Sequence, residues 1–184
     1  MNKILSVYLG LEPRQILLVS SDKGKPELGA GLRASGLKFN LSHSRNYALL
    51  AVTLHSTIGV DIEFINPEYS GDEIATRFFS PAEVRQLGTL APEERLQAFF
   101  HCWTRKEAYI KALGEGLSRP LDSFDVAFAP GEPAQLLRVE SSAEEILRWR
   151  MYDLPVLSGY AAALVVEGRE HQLAQRRWDW NTFF

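Results

Sequence analysis

The chain is short of cysteine, of long apolar runs and of net charge, and each shortage narrows what it can be. The single cysteine, Cys102, cannot close an internal disulfide, which points to a reducing, cytoplasmic setting. No apolar run reaches the ~18 residues that cross a bilayer. Residues 1–10 lack both the basic and the continuous apolar segments of a secretory leader. Neither a membrane partner nor an export signal is expected. A net charge of −3 argues against a general nucleic-acid binder. There is no Gly-rich phosphate loop, no kinase catalytic loop, no internal repeat and no low-complexity tract.

What is present is ordinary in bulk and uneven in detail. Hydrophobic residues make up 46% and charged residues 23% of 184 residues, enough for one core or two small lobes. Residues 1–60 hold seven Lys/Arg against three acids, a net of +4, which leaves −7 for the rest. Such a split suits an anion gripped by the front and a cation held behind, and it also arises by chance. Ile4, Leu5, Tyr8 and Leu9 repeat at helical spacing and end at Gly10. A short strand is expected over 16–20, a loop over 22–35, and strands over 38–43, 47–54 and 58–64. Ser80-Pro81-Ala82-Glu83 combines an N-cap serine, a first-turn proline and a capping-box glutamate. Pro92 opens a helix expected to run to about Leu113, where Gly114 stops it. Strands follow over 124–128, 136–139, 146–153, 160–166 and 173–180. Blocks of strands and helices with short connections indicate an α+β fold, with a boundary between two lobes near Gly59.

Four groups of residues could carry chemistry. On a strand over 58–64 the side chains alternate, so Ile58, Val60, Ile62 and Phe64 face the core while Asp61 and Glu63 project together. Paired carboxylates of this kind suit Mg²⁺, and an amphipathic strand with a wet acidic face reads the same way. On the following long helix, Trp103 sets zero at about 100° per residue; Leu96 then falls near +20°, Ile110 near −20°, Phe99 near −40°, Glu107 near +40° and Lys111 near +80°. Glu107 and Lys111 are either an exposed i,i+4 pair or a carboxylate on the edge of an apolar stripe, partly desolvated and in need of a cation. Lys111 is expected to be exposed. Phe39-Asn-Leu-Ser42-His43-Ser44 ends a strand with hydroxyls and an imidazole, either structural or able to meet phosphate oxygens. Gly24-Lys25-Pro26 is a basic loop tip, a solubilising lysine or a phosphate contact.

Taken in order, these motifs, together with Phe-Ser-Pro-Ala-Glu at 79–83, resemble the Sfp-type 4′-phosphopantetheinyl transferases over roughly residues 5–126. The resemblance implies two similar α+β lobes related by a pseudo-twofold axis, with coenzyme A in the cleft between them. The lobes would be residues 1–58, the N-terminal one incomplete, and 59–184. It implies a Mg²⁺-dependent enzyme that moves the phosphopantetheine arm onto a serine of an apo acyl or peptidyl carrier protein. Asp61, Glu63 and Glu107 would be the Mg²⁺ ligands. Lys25 and Ser42 would meet the pyrophosphate, His43 the 3′-phosphate, and Lys111 the phosphate bridge, with Glu107 the general base. Family members carry several dozen residues ahead of the point matched by Met1, among them basic contacts to the 3′-phosphate. A weakened grip on that group, with Arg33 or Lys38 facing the cleft beside Lys25 and His43, is therefore expected. A homologue that binds coenzyme A or carrier protein without transfer is the alternative.

Overall fold

A computed structural model describes residues 1–178 other than 22, 70, 115, 141 and 142. The chain opens with helix α1 (Asn2–Leu9), closed by Gly10 in the left-handed region (φ 64°), whose N–H donates to Ser6 O. Strands β1 (Leu18–Ser20) and β2 (Pro26–Leu28) pair antiparallel. A 3₁₀ segment (Ala30–Ser35) leads to β3 (Leu37–Ser44), which pairs antiparallel with β4 (Tyr47–Leu54) through a turn at Arg45 and Asn46. The loop expected over 22–35 thus contains a strand and a 3₁₀ turn. β2 pairs with β1 as a short hairpin, and the Gly/Ser/Lys composition of the stretch does not reveal it. Leu5, Ile16, Leu28, Leu37 and Phe39 form the core of this part.

After β5 (Ile58–Phe64) come three helices, α2 (Asp72–Phe78), α3 (Pro81–Thr89) and α4 (Pro92–Leu113). The capping box at Ser80 is formed as expected. Glu83 N–H donates to Ser80 Oγ at 3.2 Å, and Ser80 N–H donates to Glu83 Oε2 at 2.9 Å. Strands β6 (Phe124–Val126) and β7 (Leu136–Val139), helix α5 (Glu144–Arg148) and strands β8 (Trp149–Asp153) and β9 (Tyr160–Glu167) complete the described elements. The strand expected over 146–153 begins only at Trp149. Two glutamates at the start of α5 favour a helix, and Trp149 Nε1 donates back to Glu145 Oε2 at 2.9 Å. Residues 173–178 form no strand; 179–184 lie outside the described residues.

A three-stranded antiparallel sheet, ordered β5-β9-β8, carries α4 across its face. Gly59 makes that approach possible. A Cβ there would stand 2.1 Å from Ala108 O and 2.3 Å from Ala112 N, so only glycine lets the helix backbone lie on the strand. The helix is not the surface helix with one apolar stripe that the wheel suggests. Phe99 and Ile110 are buried, but so are Cys102, Thr104, Arg105, Lys106 and Tyr109, while Trp103 is only partly covered.

Strands and helices in separate blocks make the fold α+β, as expected. Two cores, one around Leu5 and Phe39 and a larger one around α4, are bridged by a third cluster of Ala51, Ile58, Val60, Leu164 and Val166. The joint has an unusual chemistry. β5 lies at the edge of its sheet, and β3 runs beside it without a backbone ladder. Instead the side chains of Asn40, Ser42 and Ser44 accept from the N–H groups of Val60 (2.8 Å), Ile62 (3.4 Å) and Phe64 (3.0 Å). Alternate residues of one strand thereby satisfy alternate amides of the next.

Candidate active site

The joint delivers its side chains to one place. Ser42 Oγ donates to Asp61 Oδ1 at 2.8 Å and accepts from Lys111 Nζ at 3.0 Å, while Lys111 Nζ also meets Asp61 Oδ1 at 2.6 Å. Two residues along, Ser44 Oγ donates to Glu63 Oε2 at 2.8 Å. The acidic face of β5 is therefore not wet. Asp61 is 2% exposed, and Glu63 is half-buried. Lys111 is likewise no exposed helix residue: its side chain is 29% exposed and ion-paired. Ser44 belongs with the site residues, and the Ser-x-Ser alternation of β3 was its signal in the sequence.

Glu107 completes the acidic group from α4. Burial, reinforced by Asp61 and opposed by Lys111, with Glu63 adding a smaller push, raises its carboxyl to about 7. Burial also raises Glu63, against the hydrogen bond from Ser44 and with Asp61 acting in the same sense. Three carboxylates near enough to perturb one another compete for positive charge, and Lys111 is paired with Asp61 among them.

The fit of a divalent cation can be judged from the donors. Asp61 Oδ2 is buried and has no hydrogen-bond partner among the described residues. A buried carboxylate oxygen left bare is costly, and a hard cation is the partner that carboxylates take. Asp61, Glu63 and Glu107 are the donors such an ion would use. Among the described residues no group of three or more His, Cys, Asp or Glu side chains is placed so that it could hold a metal ion.

A cleft of about 420 Å³ is lined on one side by Lys23, Lys25, Arg33 and Lys38 and on the other by Ile58 and the end of α4; the acidic group does not line it, and Lys25 joins it to α4 at Lys111. Glu27, paired with Arg33 at 3.3 Å, is the acid on this lining. The positive front of the sequence is thus gathered in space. Lys25 is committed more deeply than a loop lysine. Its Nζ donates to Lys111 O at 2.7 Å and Ile58 O at 3.3 Å, capping α4 with positive charge. Burial lowers its pKa, and one of its three N–H donors is left for a ligand. His43 sits on the face of β3 opposite Ser42 and is exposed. It is not brought to Lys111, though its charge reaches Glu63 and favours the ionised carboxylate.

Sequence reasoning missed the buried knot under the site. Lys106 Nζ, fully buried, donates to Leu121 O (2.7 Å) and Phe124 O (2.6 Å) and pairs with Glu83 Oε2 at 2.8 Å. Glu83 Oε1 accepts from Val126 N–H at 2.9 Å. Arg105 is held by Asp153 (2.9 and 2.6 Å) and by the carbonyl of Ala127. These contacts fix the rotation of α4, and so aim Glu107 and Lys111.

Comparison with known proteins bears on the same residues. Residues 57–165, which include Asp61, Glu63, Glu107 and Lys111, match the model of the 4′-phosphopantetheinyl transferase superfamily. The 4′-phosphopantetheinyl transferase HetI of Nostoc sp. is 39% identical over 168 residues, covering 91% of this chain and 68% of that protein. A putative 4′-phosphopantetheinyl transferase of Synechocystis sp. is 34% identical, over 84% of this chain and 61% of its own length. The 4′-phosphopantetheinyl transferase Sfp of Bacillus subtilis is 37% identical, over 67% of this chain and 52% of its own length. The chain spans between about half and two thirds of the length of these curated relatives.

Proposed function

The chain belongs to the 4′-phosphopantetheinyl transferase superfamily, with relatives of the Sfp type, and on that premise we propose that it transfers the phosphopantetheine arm of coenzyme A to a serine of an apo carrier protein in the cytoplasm. One observation carries the reading: buried Asp61 offers one oxygen to Lys111 and leaves the other bare, and Lys111 is joined through Lys25 to a basic cleft. That arrangement suits a pyrophosphate and a divalent cation meeting at one carboxylate. Residues 1–58 and 59–184 would be the two lobes flanking that cleft.

In the proposed reaction the serine oxygen bonds to the β-phosphorus of coenzyme A, and the bond from that phosphorus to the bridging oxygen breaks. 3′,5′-ADP leaves with that oxygen. The serine proton passes to Glu107, the carboxylate one helical turn before Lys111 on α4, as the general base. Lys111 stands where it can meet negative charge as it builds on the departing oxygen. Lys25 holds the end of α4 and offers its remaining N–H to the pyrophosphate. Ser42 keeps Asp61 oriented, and Ser44 does the same for Glu63. His43 and the lysines of the cleft would attract the 3′-phosphate. Mg²⁺ on Asp61, Glu63 and Glu107 would supply charge neutralisation and polarise the phosphoryl oxygens.

The alternative is a protein that binds coenzyme A or carrier protein without transfer. Release of 3′,5′-ADP, followed by chromatography with coenzyme A, Mg²⁺ and apo acyl carrier protein, separates the two. Transfer releases one nucleotide per carrier serine and stops when the carrier is consumed. A pure binder releases none.

A further inference from the structure

The joint between β3 and β5 is a ladder of side chains, and its three rungs are not alike. Asn40, Ser42 and Ser44, alternate residues on one face of β3, accept from the amides of Val60, Ile62 and Phe64. The strands keep step, each rung joining residues 20 apart in sequence. At the serine rungs the hydroxyl has a proton to place, and it goes to the carboxylate one residue earlier on β5. Ser42 donates to Asp61 and Ser44 to Glu63, each at 2.8 Å.

At the first rung the residue in that place is Gly59, which has no side chain. A hydroxyl there would have no carboxylate to receive its proton. The acceptor is instead an amide oxygen, Asn40 Oδ1, which has no proton to place and reaches one bond further from the backbone than a serine Oγ. Asn40 is 5% exposed, so its bond with Val60 N–H, at 2.8 Å, is made away from water. Asn-x-Ser-x-Ser thereby fits Gly-x-Asp-x-Glu in one register. Moved two residues one way, β3 sets Ser42 against Gly59 and takes Ser44 to Asp61, leaving Glu63 without a hydroxyl. Moved the other way, it brings Lys38, which has no acceptor, to Val60 N–H. A shift of one residue turns the hydroxyls to the opposite face. The same rung lies where α4 rests on β5, since Gly59 is the contact point of Ala108 and Ala112.

We propose that Asn40 is a positioning residue for the transfer reaction: by holding β3 in step with β5 it brings Ser42 to Asp61 and Lys111, and Ser44 to Glu63. The inference rests on the transferase reading above. Asn40 acts through the two serines, its own oxygen being taken by Val60 N–H.

The test compares the wild type with Asn40→Leu, which keeps the shape and loses the acceptor, and Asn40→Ser, which keeps an acceptor of shorter reach. Amide hydrogen exchange is followed residue by residue by NMR, in chelator, at Ile62 and Phe64. Val165, buried in the central strand of the sheet, serves as the reference for global opening. Steady-state transfer to apo acyl carrier protein is measured in parallel, per folded molecule. Loss of one buried hydrogen bond corresponds to a roughly tenfold change in an equilibrium. In Asn40→Leu, Ile62 and Phe64 are therefore expected to exchange faster relative to Val165 by about that factor, although neither amide bonds to Asn40. The kcat should fall by a similar factor. The KM for coenzyme A should move less, because Lys23, Lys25 and Arg33 lie outside β3. Asn40→Ser should recover part of both losses.

If only Val60 loses protection, the bond is local and the proposal is overturned. Faster exchange at Ile62 and Phe64 with an unchanged kcat overturns it too, as does an Asn40→Ser no better than Asn40→Leu. Should Asn40→Leu not fold, Asn40→Ser against the wild type decides on the same two readouts. A wild-type protein that transfers nothing overturns the transferase reading, and with it the part of Asn40 in the reaction, while the exchange rates still report whether Asn40 sets the register.

Discussion

At Lys111 the cation that would meet phosphate is also the cation that neutralises Asp61. The side chain is 29% exposed and the carboxylate 3%, so the pair is not a surface pair of negligible worth. Lys111→Met in metal-free protein should lower stability by about 1–3 kcal/mol, because it strands a buried carboxylate. Adding Asp61→Asn should recover part of that loss, as read from urea midpoints. Transfer should fall far more than this loss explains; a fall merely proportional to the unfolded fraction would make Lys111 structural alone. Glu107 gives a second residue-scale prediction. An ordinary glutamate titrates near 4.5 and this one near 7, so between those values the folded state holds more protons than the unfolded. Its contribution is full below about 4.5 and disappears as pH rises through 7, a change on the order of 3 kcal/mol. In a chelator, Glu107→Gln should be flatter than wild type across that window, and identical slopes would contradict the assignment. The identities of these residues were legible from motif and spacing. The burial of Asp61 was not, because its cover, Ser42, comes from a strand whose placement no local pattern gives.

The geometry of β5 and α4 decides whether those side chains can meet. Gly59 allows the helix backbone to touch the strand, and Gly59→Ala must push Ala108 and Ala112 away. Overpacking of this kind costs about 1–3 kcal/mol. Because the displaced helix carries Glu107 and Lys111, transfer should drop further than stability does. Parallel thermal melts and initial rates would check this. A variant with native activity would mean that the helix is free to settle elsewhere. At this scale the sequence was partly readable. Proline at 92 and glycine at 114 bounded α4 correctly, and the capping box at Ser80 is formed. The wheel misjudged α4 because it assumed one apolar face. Arg105 and Lys106 read as polar positions, yet they are buried with Asp153 and Glu83 as partners. Likewise Glu83 read as a cap alone, while its second oxygen holds β6.

Charge is organised across the whole molecule. Lys23, Lys25, Arg33 and Lys38 line one cleft, the acidic group follows along β5, and Arg45 closes the row at its far end. Uneven charge in the sequence hinted at this order but did not fix it, since Lys23 and Lys38 meet only through the fold. Lys38 is exposed, and among the described residues its side chain makes no hydrogen bond or ion pair. Lys38→Glu should therefore change stability by no more than about 0.5 kcal/mol and weaken coenzyme A binding by roughly tenfold or more. Its effect on dephospho-coenzyme A should be smaller. Calorimetric titration of both ligands reads the difference, and equal effects would place the 3′-phosphate elsewhere.

The most direct measurement is the intact mass of an apo acyl carrier protein after incubation with this protein, coenzyme A and Mg²⁺. The account predicts a gain of one phosphopantetheinyl group on the acceptor serine. It further predicts no gain when Mg²⁺ is chelated, and little when Glu107 is alanine. An unmodified carrier with the full mixture, or modification indifferent to Mg²⁺ and to Glu107, would contradict it.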